Sequence, residues 1–229
     1  RAGLTSRVLH IAEALELSYR VADGQAPNLR LRRPVKPLIP RSRSRQRWLG
    51  WLARRQSSGD TQFVPLKARL QPGQVWDDTP TRLVYALDAG LDTGEPAAVA
   101  FPESTADVQA LVRWAAENNL PLIARGSGSG LAGGAVAEHG GLLMEFSLLN
   151  RLLNLDADGR SAALEPGLMT QTLDEQARAA GLSFPPDPSS GRVSTVGGNI
   201  ATNAGGPHCF KYGVTANYVT GLDVVLADG

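Results

Sequence analysis

The chain has 229 residues, 42% hydrophobic and 20% charged, with a net charge of +1. These values fit a folded protein of one large domain or two small ones, and they exclude a disordered or fibrous chain. The lone Cys209 excludes an intramolecular disulfide, and with only His10, His139 and His208 beside it no metal site is expected.

Val8–Leu17 sets Val8, Ile11, Ala12 and Leu15 on one helical face and predicts a short helix. A proline-punctuated basic segment follows, with ten Lys and Arg between Arg30 and Arg55 and no acid among them. The rest of the chain is therefore net acidic. The plain reading of residues 1–75 is a solvated N-terminal segment; Trp48 and Trp51 add a second, peripheral contact with an anionic membrane surface. No RNA-binding signature accompanies the charge, so no nucleic-acid partner is expected. No apolar run reaches the roughly 18 residues of a membrane span. The expected location is the cytoplasm, with contact at the inner face of the membrane at most. Arg1 in place of Met, and Gly229 directly after an apolar run, read as cuts through a longer chain.

Residues 76–229 read as a single α+β domain. Ser104 and Asp107 form a capping pair for a helix whose apolar stripe is Val108, Leu111, Val112 and Ala115, ended by Asn118–Asn119. Pro121–Ala124 reads as a buried strand running into glycines; Leu142–Phe146 and Ala162–Leu164 are further strands. A helix at about Gln171–Ala180 is stopped by Gly181. A proline-rich turn, a second glycine segment and a strand at Leu222–Ala227 follow.

Two segments carry chemistry. In Arg125-Gly126-Ser127-Gly128-Ser129-Gly130-Leu131, alternating Gly and Ser after a strand let successive N–H groups point into one concavity, a nest for phosphate oxygens. The match to a nicotinamide-dinucleotide fingerprint at Gly128, Gly130 and Gly133 is formal only. That site needs a helix directly after the glycines, and Gly133, Gly134, Gly140 and Gly141 oppose one. In Thr195–Gly206, glycines alternate with small polar residues able to donate and accept, as a pyrophosphate and a flavin edge require. Pro185-Pro186-Asp187-Pro188 precedes it.

From these pieces the chain resembles the FAD-binding domain of the vanillyl-alcohol oxidase/p-cresol methylhydroxylase superfamily. Within it, the nearest branch holds the FAD-linked subunit of glycolate oxidase, D-lactate dehydrogenases and D-2-hydroxyglutarate dehydrogenases. The matching pieces, in order, are Tyr85-x-x-Asp88, Val99-x-Phe101-Pro102, Arg125-Gly126-x-Gly128, Glu165-Pro166-Gly167, Phe184-Pro185-Pro186-Asp187, Gly197-Gly198 and Lys211-Tyr212-Gly213. The implied fold is α+β, a two-subdomain FAD-binding domain of the p-cresol methylhydroxylase type, truncated before the cap domain.

The resemblance implies non-covalent FAD. Gly126–Gly130 and Gly197–Asn199 would wrap its pyrophosphate; Pro186, Thr202, Asn203 and Gly205 would follow the ribityl chain and ring; the Val224–Val225 backbone would lie near adenine. Arg125, Ser127, Ser129, Leu131, Asp187, Thr195, Gly198 and Ala201 complete the expected cofactor set. His139 and Cys209 are the residues to examine for a covalent flavin link, and His208 is the one histidine near enough to consider as a base. No catalytic residue is assigned, because the family's substrate arginines and histidine motif lie in its cap. The implied reaction is oxidation of a D-2-hydroxy acid of the glycolate or D-lactate type, with electrons passed to a quinone, cytochrome or iron–sulfur partner. The alternatives are an alkylglycerone-phosphate synthase-like enzyme and a non-catalytic flavin or assembly subunit of an oxidase.

Overall fold

The computed structural model describes residues 61–229 together with the backbone of Ala12 and Glu13. The elements in chain order are β1 (Ala12–Glu13), α1 (Val64–Arg69), β2 (Val75–Trp76), α2 (Thr79–Val84), β3 (Ala98–Ala100), α3 (Thr105–Glu117), β4 (Leu122–Arg125) and β5 (Leu142–Glu145). Then come β6 (Leu152–Asp156), β7 (Ser161–Leu164), α4 (Thr170–Ala179), α5 (Val196–Ala201) and α6 (Cys209–Tyr212).

The first sheet has the order β2-β3-β5-β4, parallel except for β2. Its central strands, AVA and LLME, are buried throughout, as expected of parallel strands covered on both faces. On one face Ala98, Ala100, Leu142 and Met144 pack with Phe63, Leu66, Leu111 and Trp114. Leu111 is fully buried, and at about 2–5 kcal/mol for a buried Leu→Ala change it is a principal anchor of α3. Helix α3 starts where Ser104 Oγ accepts from Asp107 N at 3.2 Å, and it stops at Asn118, followed by Asn119 at φ 51°. All four residues of its expected apolar stripe are buried. Phe63 and Leu66 belong to this core, so packed structure is already present within residues 61–75.

The second sheet has the order β1-β7-β6, antiparallel throughout. Strands β6 and β7 form a hairpin closed by an Asx turn, in which Asp156 Oδ1 accepts from the backbone N of Asp158 and Gly159. Glu165 clamps its open end, accepting from Arg151 N at 2.7 Å and Arg151 Nε at 2.8 Å. Ala162, Leu164, Leu173, Ala177, Phe184 and Val196 form a second core around this sheet and α4. Helix α4 ends as its sequence predicts, with Gly181 at φ 74° just beyond it.

Two expectations need correction. Of the helix expected at Val8–Leu17, only Ala12 and Glu13 are described; they are extended and pair with Ala163 and Ala162, because an edge of β7 offers them a ladder. The rest of that segment, with the basic run, Trp48 and Trp51, lies outside the described residues. The strand expected at Leu222–Ala227 is absent: a strand requires a hydrogen-bonding neighbour, and no described strand pairs with this run. Val225 instead packs against the first core. Among the described residues no helix is long and apolar enough to cross a membrane.

Candidate functional site

Strand β4 delivers the chain into the first glycine segment, and β5 returns it parallel, with no helix between. A nicotinamide-type strand–helix unit is therefore absent here. The loop is bare in a specific sense. Among the described residues, none of the backbone N–H groups from Gly126 to Ala132 has a hydrogen-bond partner, and the only side-chain bond is Ser127 Oγ to Ser129 Oγ at 3.3 Å. Seven successive free donors, with Cβ space open at Gly130, are what an anionic ligand with several oxygens needs. Gly128 adopts φ 68°, and its carbonyl accepts from Ala89 N at 2.9 Å, which ties the loop to the segment after α2.

The second segment behaves differently. Thr195 caps α5, its Oγ1 accepting from Gly198 N at 3.3 Å. Val196 N donates to Leu168 O, Gly197 N to Pro166 O and Asn199 N to Thr195 O, so these amides are already used within the protein. The glycines here serve close approach. A Cβ on Gly197 would collide with Pro166, one on Gly206 with the Asp187 carbonyl, and one on Gly126 with Thr195 Oγ1. This last contact brings the two segments together.

Asn199 is buried and donates to Thr170 Oγ1 at 2.7 Å, part of a network with Ser194. Thr202 Oγ1 donates to Gly198 O, and Asn203 Oδ1 accepts from Ala216 N. Ala201, Thr202, Asn203 and Leu131 are exposed, while Pro186 is buried and Asp187 exposed. Val225 makes its packing contacts with the first core. Cys209 Sγ accepts from Gly206 N at 2.9 Å, His208 Nδ1 stands 3.6 Å from Asp187 Oδ2, and His139 is exposed beside Glu138. A cavity of about 560 Å³ lies at Pro186, Asp187, Arg178, Arg192, His208 and Tyr212; no residue from Arg125 to Leu131 borders it. The cavity and the bare loop are separate features.

Beneath the loop lies a charged cluster that sequence reading did not assemble. Arg125 is 7% exposed; its Nη1 donates to Ala135 O at 3.1 Å and its Cζ lies 5.4 Å from the Tyr85 ring centre. Burial lowers its pKa, opposed by the charges of Tyr85, Asp88 and Glu145. Burial, then the charge of Glu145, pushes the Tyr85 phenol up to about 12. Burial also raises the Glu145 carboxyl, against hydrogen bonds from Ser147 and the Arg125 charge. Asp88 Oδ1 accepts from Gly90 N at 2.7 Å, whereas its Oδ2 is buried without a hydrogen-bond partner. The Tyr85-x-x-Asp88 spacing signalled this cluster, since Tyr85 and Asp88 both face Arg125.

A parallel α/β sheet, an adjoining antiparallel sheet and a bare glycine loop meeting a second glycine segment define a dinucleotide-binding architecture of the p-cresol methylhydroxylase type. The family model described as "FAD binding domain" matches residues 96–229, and the chain belongs to this family. It is 41% identical over 154 residues to the glycolate oxidase subunit GlcD of Bacillus subtilis, covering 67% of this chain and 33% of that protein. It is 38% identical over 165 residues to the D-2-hydroxyglutarate dehydrogenase of Stutzerimonas stutzeri, covering 72% and 36%. Among solved structures, an alkyldihydroxyacetonephosphate synthase matches with a TM-score of 0.62 and 28% identity, covering 70% of this chain and 32% of that one. The chain spans about a third of the length of these relatives.

Proposed function

We propose that the protein oxidises a D-2-hydroxy acid of the glycolate or D-lactate type in an FAD-dependent reaction and passes the electrons to a quinone, cytochrome or iron–sulfur partner. The observation that carries this reading is the run of unpartnered N–H groups at Gly126–Ala132, in a chain of the FAD-binding family whose relatives bear hydroxy-acid oxidase and dehydrogenase names. When bound, FAD supplies the acceptor for the electron pair leaving the α-carbon. The residues fit such a group. The amides of the first loop hold the pyrophosphate, and the Ser127 and Ser129 hydroxyls add donors.

The second segment acts mainly as a wall. Its internally bonded backbone fixes Thr195 against Gly126, and its exposed side chains at Thr202 and Asn203, with Gly205, would hold the ribityl chain and ring. Residues 76–229, with Phe63 and Leu66 packed into their core, form the cofactor domain, and the basic segment before it serves peripheral contact with an anionic membrane surface. Vesicle sedimentation of the full chain, with and without anionic lipid, tests that contact.

The test of the main reading is reconstitution of the full-length protein with FAD, followed by anaerobic addition of D-lactate, L-lactate or glycolate. Visible flavin bands that bleach with the D-acid or glycolate, but not with the L-acid, are expected. No flavin uptake would sink the proposal. A second reading draws on the alkyldihydroxyacetonephosphate synthase likeness: flavin that binds but is bleached by no hydroxy acid favours it.

A further inference from the structure

We infer that Arg125 is a positioning residue for the bare loop, acting through the backbone of Gly128 and the base of the loop rather than by touching the cofactor; this rests on the flavin reading of the same loop. Three contacts of one side chain support it. The guanidinium occupies the space into which a Cβ on Gly128 would project, so it packs directly against the loop at its φ 68° turn. Nη1 bonds to Ala135 O at 3.1 Å, closing the loop across its base. Cζ rests over the Tyr85 ring, and Asp88 and Glu145 supply neighbouring negative charge. The side chain is 7% exposed, so its positive charge is held under the free N–H groups instead of being offered to solvent.

A guanidinium can stack, donate and present a flat face at once, whereas an ammonium on a flexible stem does only one of these well. Lysine is therefore no substitute, although it keeps the charge. The loop amides bind oxygens from an arrangement that Arg125 fixes beforehand, and a preorganised donor set loses less on binding.

The test uses the full chain and FAD titration by flavin fluorescence on the wild type, R125K, R125M and R125A. R125K and R125M are expected to weaken FAD binding about tenfold or more, the size of effect that residues not touching a ligand exert when they set its site. In R125A, millimolar guanidinium chloride restores affinity, and urea at the same concentration does not; a merely structural defect would not show this selectivity. R125K keeps the charge and guards against a variant that simply fails to fold. Wild-type affinity in R125K, or no selective rescue in R125A, would overturn the inference. A wild type that takes up no FAD would instead overturn the flavin reading itself.

Discussion

Replacing Gly126 by alanine tests the seam between the two glycine segments. The new methyl would be built onto Thr195 Oγ1, a buried atom that cannot move freely because it caps α5 through Gly198 N at 3.3 Å. Thr195 is also held from both sides, by its bridge to Met169 and by the Val196 N to Leu168 O bond at 2.8 Å. Overpacking of this kind costs about 1–3 kcal/mol, and losing the cap adds about 1 kcal/mol. At roughly 2–4 °C per kcal/mol for a chain of this size, Gly126→Ala should lower the melting temperature by roughly 4–16 °C. Thr195→Ala removes the cap together with the buried Cγ2 methyl and should cost about 1–2 kcal/mol. The double variant removes the colliding atom, so it should lose at least about 1 kcal/mol less than the sum of the two. Thermal and urea melts of all four proteins measure the cycle. Losses that add to within about 0.5 kcal/mol would refute the contact.

Two further changes probe the supporting structure. Burial raises the Glu145 carboxyl, so the folded protein prefers it protonated; stability present below the ordinary glutamate value of about 4.3 is lost as pH rises through the folded value. Glu145→Gln should therefore gain on the wild type in melting temperature between pH 4 and pH 7, and a difference that stays flat across that range counts against the buried carboxyl. Asn199→Ala deprives Thr170 Oγ1 of a donor in a buried network and should cost about 1–3 kcal/mol by urea denaturation; an unchanged midpoint would show that the network is dispensable.

Much of this architecture is legible in the residues themselves. Ser104 and Asp107 start α3, its apolar stripe is buried as spaced, and Gly181 lies just past α4. The bare loop at Gly126–Ala132 is equally direct, because glycine and serine cannot fill a concavity. Strand β6 escaped, although Asp156-Ala157-Asp158-Gly159 after LLNL is a hairpin turn signal. Helix α5 escaped for a better reason. Two glycines in a helix cost about 1 kcal/mol each, and only tertiary facts offset them: the Thr195 cap and the close approach of Gly197 to Pro166. The Arg125 cluster draws on Tyr85 and Asp88, Arg125 and Glu145 from three separate stretches of the chain, and only the Tyr85-x-x-Asp88 spacing points to any part of it. The error at Leu222–Ala227 is of the opposite kind: a run with strand composition has no strand beside it to pair with.

The two cores occupy successive stretches of the chain, the first built from residues between Phe63 and Leu149, the second from residues between Ala162 and Tyr218. During synthesis the first can consolidate before the second has left the ribosome. Val225 is the exception, a late arrival that packs back onto the early core. The meeting of Gly126 with Thr195 joins the two halves and can only be made late. A nascent chain halted before Thr195 would carry its bare loop fully formed yet with nothing to face.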